Sequence, residues 1–115
     1  MRTKKPLAGK TALVTGSYKG IGRAVARKLA MEGAAVILNG RNHERLEQCC
    51  REFREAGFKV EGVAGDIGDP DQCREIIRKA GALNGKIHMA VLNAGASGFG
   101  KVEETGYAQP EQLLR

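Results

Sequence analysis

The chain has 115 residues, room for a single domain, and 42% of them are apolar, which is enough for a core. No apolar stretch approaches the ~20 residues of a membrane span. The basic start, Met1-Arg2-Thr3-Lys4-Lys5-Pro6, has no apolar run behind it, which argues against a secretory signal, so a soluble, cytoplasmic protein is expected. The net charge of +6 is concentrated in residues 1–57 and points to an anionic partner. With 4% aromatic residues and no nucleic-acid-binding motif, that partner reads as a small phosphate-bearing ligand rather than nucleic acid.

In chain order, Thr11-Ala12-Leu13-Val14-Thr15 is a short aliphatic and β-branched run ending at Gly16, as a buried strand would. Ile21, Ala24, Val25 and Leu29 then recur at helical spacing, and Gly33 supplies a helix stop. Val36-Ile37-Leu38 is the second strand. Leu46, Cys49, Cys50 and Phe53 mark one face of a second helix, closed by Gly57. Phe58 to Ala64 reads as the third strand. Asp69-Pro70 has the form of an N-cap followed by Pro at the first helical position, and Cys73, Ile76, Ile77 and Ala80 provide that helix with its apolar stripe. Ile87 to Leu92 is the fourth strand, Asn93-Ala94-Gly95 opens a Gly-rich loop, and residues 109–115 read as the first turns of another helix. Such alternation implies a parallel sheet with right-handed crossovers.

Three cysteines, Cys49, Cys50 and Cys73, form no C-x-x-C pair and fall at apolar helix positions. They are expected to be small buried hydrophobes, and no metal site is expected.

Thr15-Gly16-Ser17-Tyr18-Lys19-Gly20-Ile21-Gly22 joins the first strand to the first helix. A pyrophosphate needs donors at close range. Glycines let the backbone approach without a Cβ in the way, and a helix start offers free N–H groups and the positive end of its dipole. Gly16 suits the turn, Gly20 the close approach, and Gly22 tight helix-on-strand packing. The spacing G-x-x-x-G-x-G differs from the commoner G-x-G-x-x-G. The pattern T-G-x-x-x-G-I-G at this place resembles the cofactor loop of the short-chain dehydrogenase/reductase family. Asp66-Ile67 after the third strand and Asn93-Ala94-Gly95 after the fourth are similar to two further family motifs, in the same order.

The resemblance implies an α/β fold, a Rossmann-type doubly wound parallel sheet. The chain reads as the N-terminal part of that domain, truncated after the fourth strand, where the whole family fold has the order 3-2-1-4-5-6-7. The third helix is expected on the face opposite the first two. Truncation is expected to leave the fourth strand as an apolar edge and the chain marginally stable. The cofactor set implied is Gly16, Ser17, Tyr18, Lys19, Gly20, Ile21, Gly22, Arg41, Asp66, Ile67, Asn93, Ala94 and Gly95. Asp66 would bond the adenine amino group with Ile67 beside the ring; the other reading of Asp66 is a loop cap near Asp69. Residues 93–95 would lie along a ribose. The family often has Asn at the position of Leu92, and its absence puts a structural role there in doubt.

An acid at the end of the second strand would bond the ribose 2′-hydroxyl of NAD and repel a 2′-phosphate. Gly40 stands there, followed by Arg41, with Lys19 in the glycine loop. That pair resembles the family's NADP-preferring pattern, so NADP(H) is expected ahead of NAD(H). The family's chemistry uses Tyr-x-x-x-Lys with an upstream Ser. Tyr18 is followed by Gly22 and Tyr107 by Glu111, Ser17 belongs to the glycine loop, and Ser97 comes too early. His43 and His88 have no paired carboxylate or nucleophile suggested. No catalytic residue is therefore expected in this chain, and on its own it should be inactive. The resemblance implies an oxidoreductase interconverting ketones and alcohols, acting on a small carbonyl or alcohol substrate, with homo-oligomers typical of the family. The other reading is a non-catalytic NADP-binding module or one half of a split enzyme.

Overall fold

The computed structural model describes residues 5–93. The element order is β1 (Thr11–Val14), α1 (Gly20–Met31), β2 (Ala35–Gly40), α2 (His43–Glu55), β3 (Val60–Ala64), α3 (Pro70–Asn84) and β4 (Met89–Val91). The expected helix over 109–115, together with Ser97 and Tyr107, lies outside the described residues.

The strands pair in parallel in the order β3-β2-β1-β4. Side chains alternate across the sheet. Val14, Val36, Leu38 and Val60 turn to one face, where α1 and α2 cover them with Ala26, Ala30, Leu46, Cys50 and Phe53. Leu13, Ile37 and Val63 turn to the other, beneath Ile76 and Ala80 of α3. The sheet is thus wound on both faces in the Rossmann manner, with α3 alone on its side among the described elements, as the alternation of elements requires. Among the described residues no helix is long and apolar enough to cross a membrane.

Local signals set most of the boundaries. Asp69 accepts from the N–H groups of Asp71 and Gln72, with Pro70 next to it at the start of α3. At the end of α2 the Gly57 N–H donates to Arg54 O and the Phe58 N–H to Phe53 O, and the two Phe rings meet edge to face at 6.0 Å. This paired bonding with its apolar contact is a Schellman stop. It draws Phe58 out of the expected third strand, which begins at Val60. The fourth strand is likewise shorter than expected, Met89–Val91 in place of Ile87–Leu92. Ile87 packs against the α3-side core, and His88 sits below the strand, its Nδ1 accepting from the Thr11 N–H at 3.0 Å.

Two apolar stripes are corrected. In α1 the buried positions are Gly22, Ala26 and Ala30, while Ile21 is 75% exposed. The physical reason is the fit of Gly22 against the glycine loop described below, which sets the helix phase and turns residue 21 outward. In α3, Cys73, Ile76 and Ala80 are buried as expected, but Ile77 lies on the exposed side.

Candidate functional site

In this strand order β1 has β2 on one side and β4 on the other, so the chain's winding reverses at the carboxyl end of β1. Ligands of open α/β sheets lie in the crevice at such a point. The segments leaving β1, β2, β3 and β4 all emerge at this end, and they carry every described residue of the expected site.

The floor of the crevice is built by Thr15, Gly16, Gly22 and Asn93. The Thr15 hydroxyl accepts from the Asn93 N–H at 2.8 Å, and Asn93 Nδ2 donates to Gly16 O at 3.3 Å. Gly16 has φ +58°, the left-handed region that glycine enters without strain. Gly22 is needed for a different reason. A Cβ there would overlap the Gly16 carbonyl oxygen and stand 2.7 Å from Asn93 Nδ2. Asn93 therefore does structural work that steadies the end of β4 even with Leu92 before it.

The next layer ties the glycine loop to β2. Ser17 is fully buried, its N–H donates to Asn39 O at 2.9 Å, and its hydroxyl accepts from the Asn39 N–H at 2.8 Å. Ser17, expected among the cofactor residues, is committed to this framework. Asn39, which sequence reasoning missed, is its hub. It is buried, and its Nδ2 donates to Val63 O at 2.9 Å and Gly65 O at 3.3 Å, so one side chain joins β2 to the end of β3. The available signal was an amide ending an otherwise apolar strand. One residue further, the half-buried Tyr18 ring lies on Gly40. A Cβ at position 40 would overlap Tyr18 Cδ1 and stand 2.6 Å from Cε1.

The start of α1 is open. Asn42 caps α2 by accepting from the Arg45 N–H at 3.0 Å and Asp69 caps α3, but Lys19, at the N-cap of α1, makes no side-chain cap, and the first turn has no acid. The first N–H groups of any helix lack partners within it. Here they face a loop in which Gly20, with φ +61°, has nothing within 4 Å of where a Cβ would be. Lys19 and Arg41 are exposed, and neither forms an ion pair among the described residues. The contacts 17–39 and 18–40 run side by side, and Lys19 and Arg41 are the next residues of the two segments. Lys19 Nζ stands 6.0 Å from the Tyr18 ring centroid.

The Tyr18 ring also borders an open cleft of about 200 Å³, lined with it by Lys19, Arg23, Arg45, Gln48 and Glu52. Arg23 bonds Glu52 at 2.8 Å and holds that carboxyl below its ordinary range. Cys49 also lines this cleft, and burial pushes its thiol up.

Asp66 and Ile67 follow β3. One Asp66 carboxylate oxygen accepts from the Gly68 N–H at 2.9 Å, and its own N–H donates to Gln72 Oε1 at 2.9 Å. The loop-cap reading of Asp66 is thus realised, with its second oxygen not used in a bond to the described residues. Ile67 packs in part against the core under α3. Ala94 and Gly95 of the expected set lie outside the described residues.

A family model described as short chain dehydrogenase matches residues 10–115. The chain is 42% identical over 92 residues to the tropinone reductase homolog At5g06060 of Arabidopsis thaliana, covering 79% of this chain and 35% of that protein. It is 35% identical over 99 residues to human dehydrogenase/reductase SDR family member 4, covering 86% and 36%. Among solved structures, it resembles L-sorbose reductase from Gluconobacter frateurii complexed with NADPH and L-sorbose, with TM-score 0.75, 35% identity, and coverage of 78% of this chain and 35% of that one. It also resembles a gluconate 5-dehydrogenase from Burkholderia cenocepacia in complex with NADP and tartrate, with TM-score 0.73, 42% identity, and coverage of 77% and 35%. The chain spans about a third of the length of these relatives.

Proposed function

Because the chain belongs to the short chain dehydrogenase family, we propose that it forms the NADP(H)-binding part of an oxidoreductase that interconverts ketones and alcohols. The observation that carries this reading is the uncapped start of α1 behind the glycine loop, at the point where the sheet's winding reverses. The residues fit a dinucleotide: free helix N–H groups and the side-chain-free space at Gly20 suit a pyrophosphate.

When bound, the nicotinamide supplies or accepts a hydride. The chain's own residues bind and orient. Gly16, Gly20, Ile21 and Gly22 present backbone to the pyrophosphate, over a floor that Thr15 and Asn93 hold still. Lys19 and Arg41 take a 2′-phosphate, with no acid at position 40 to repel it. The second Asp66 oxygen is available to an adenine amino group, with Ile67 beside the ring. The NADPH and NADP named for the sorbose reductase and gluconate dehydrogenase complexes support the same choice. The substrate class, a small carbonyl compound or alcohol, follows from the family.

The direct test is to titrate the protein with 2′,5′-ADP and with 5′-ADP, which differ only in the phosphate at issue. A charge-assisted bond to that phosphate contributes about 1.5–3 kcal/mol, so 2′,5′-ADP should bind about ten- to a hundredfold more tightly. Equal affinity would refute the assignment of NADP(H).

A further inference from the structure

We propose that Tyr18 is a selectivity residue whose ring keeps position 40 free of any side chain and thereby denies the site the acid that a ribose 2′-hydroxyl would need. This inference rests on the dinucleotide reading above. It adds a steric component to a preference so far argued from charge.

The geometry runs from the paired segments outward. Ser17 and Asn39 are bonded backbone to backbone and through the Ser17 hydroxyl. That pairing fixes how far apart residues 18 and 40 can be. Gly40 ends β2 in full burial, and the surface it lacks is occupied by the Tyr18 ring. The ring is itself packed in part against the core that includes Val14, Leu38, Leu46 and Cys49. An Asp or Glu at position 40 would bring its Cβ closer to Cδ1 of Tyr18 than real atoms approach one another. The carboxylate and this ring position are therefore mutually exclusive. Lys19 and Arg45 line the cleft that the Tyr18 ring borders, Arg41 follows Gly40 directly in the chain, and none of the three forms an ion pair among the described residues.

It follows that installing an acid alone will not convert the site. The experiment measures dissociation constants for NADPH and NADH in four proteins: the parent, Tyr18→Ser, Gly40→Asp, and the double variant. In the parent, NADPH should bind more tightly. Gly40→Asp should weaken NADPH by about tenfold or more through charge without improving NADH. Adding Tyr18→Ser should then improve NADH binding by about tenfold over Gly40→Asp alone, because the carboxylate gains its space. If Gly40→Asp by itself acquires all of that NADH affinity, or the double variant acquires none, the ring guards nothing and the inference fails while the cofactor reading stands. If the parent binds neither dinucleotide, or binds both alike, the cofactor reading fails and this inference with it.

A second pair keeps the steric claim testable should Gly40→Asp not fold. Gly40→Ala should lower the unfolding midpoint in the parent and be tolerated beside Tyr18→Ser. Equal loss in both backgrounds would overturn the proposed contact.

Discussion

Thr15 and Asn93 stand 78 positions apart in the chain and are joined by a 2.8 Å hydrogen bond from the Asn93 N–H to the Thr15 hydroxyl. Thr15 also donates its own N–H to Val91 O at 3.0 Å. The end of β1 is therefore locked to the end of β4 at the level where the glycine loop begins. Gly16 and Gly22 rest on this lock, through Asn93 Nδ2. A loop that must present backbone N–H groups at fixed positions needs such a base, because glycines have no side chains with which to anchor themselves.

Thr15→Val keeps the shape and removes the oxygen. It leaves the Asn93 N–H without its acceptor, which should lower stability by about 1–3 kcal/mol. Urea unfolding of the two proteins measures the difference. No change in midpoint would mean that water replaces the hydroxyl at no loss.

Two glycines of the loop should respond in opposite ways to the same substitution. At Gly22 a Cβ meets the Gly16 carbonyl oxygen and the Asn93 amide, both part of the fixed floor. Gly22→Ala should therefore destabilise by about 1–3 kcal/mol or more. At Gly20 the space is open, so Gly20→Ala should cost only about 1–2 kcal/mol for the left-handed backbone, while a Cβ obstructs the approach of a pyrophosphate. Thermal unfolding and dinucleotide titration, run side by side, should show Gly22→Ala losing mainly stability and Gly20→Ala mainly binding. The reverse order would contradict the assignment of roles.

Arg41 is exposed and forms no ion pair among the described residues, so any attraction it exerts on a phosphate is screened by salt. Arg41→Ala should weaken NADPH by about tenfold or more and NADH hardly at all. The preference for NADPH should also narrow as ionic strength rises, and less steeply in the variant. Titrations across a salt series separate this from a general loss of binding, which would lower both dinucleotides together.

Cys50 is fully buried, and burial pushes its thiol from the ordinary 9.0 up to about 11. Below about pH 9 the thiol is protonated whether the chain is folded or not, and its contribution is complete. Between those values the unfolded chain releases a proton that the folded chain keeps, so stability should fall as pH rises through about 9 to 11. The measurement is the difference between the parent and Cys50→Ala in unfolding midpoint against pH, which isolates this one thiol. Parallel curves would show that Cys50 contributes nothing. At neutral pH the thiol should react with an aromatic disulfide reagent far more slowly in the folded protein than in denaturant.

How much was legible beforehand differs by element. The stops at Gly33 and Gly57, the Asp69-Pro70 start of α3, the alternation of strands and helices and the glycine loop after β1 could all be read from the residues alone. Each depends on bonds within one turn or on a repeat along one element, so neighbouring letters carry the information. The strand boundaries were less legible, because Phe58 is claimed by the α2 stop through its contact with Phe53 and Ile87 by the α3-side core.

What the tertiary structure alone decided concerns contacts between distant segments. Which face of α1 is buried depends on Gly22 seating against Gly16, so the apolar Ile21, a natural core candidate by composition, points to solvent. Asn39 becomes a hub because three segments converge on it, and Ser17 is taken up by that hub. That Gly40 lies under the Tyr18 ring could not be inferred from an absent acid, since a missing side chain does not say what fills its space. Caps and periodicities are properties of a chain with itself at short range, whereas the site's floor and walls exist only once the sheet has brought residues 15–22, 39–40 and 93 together.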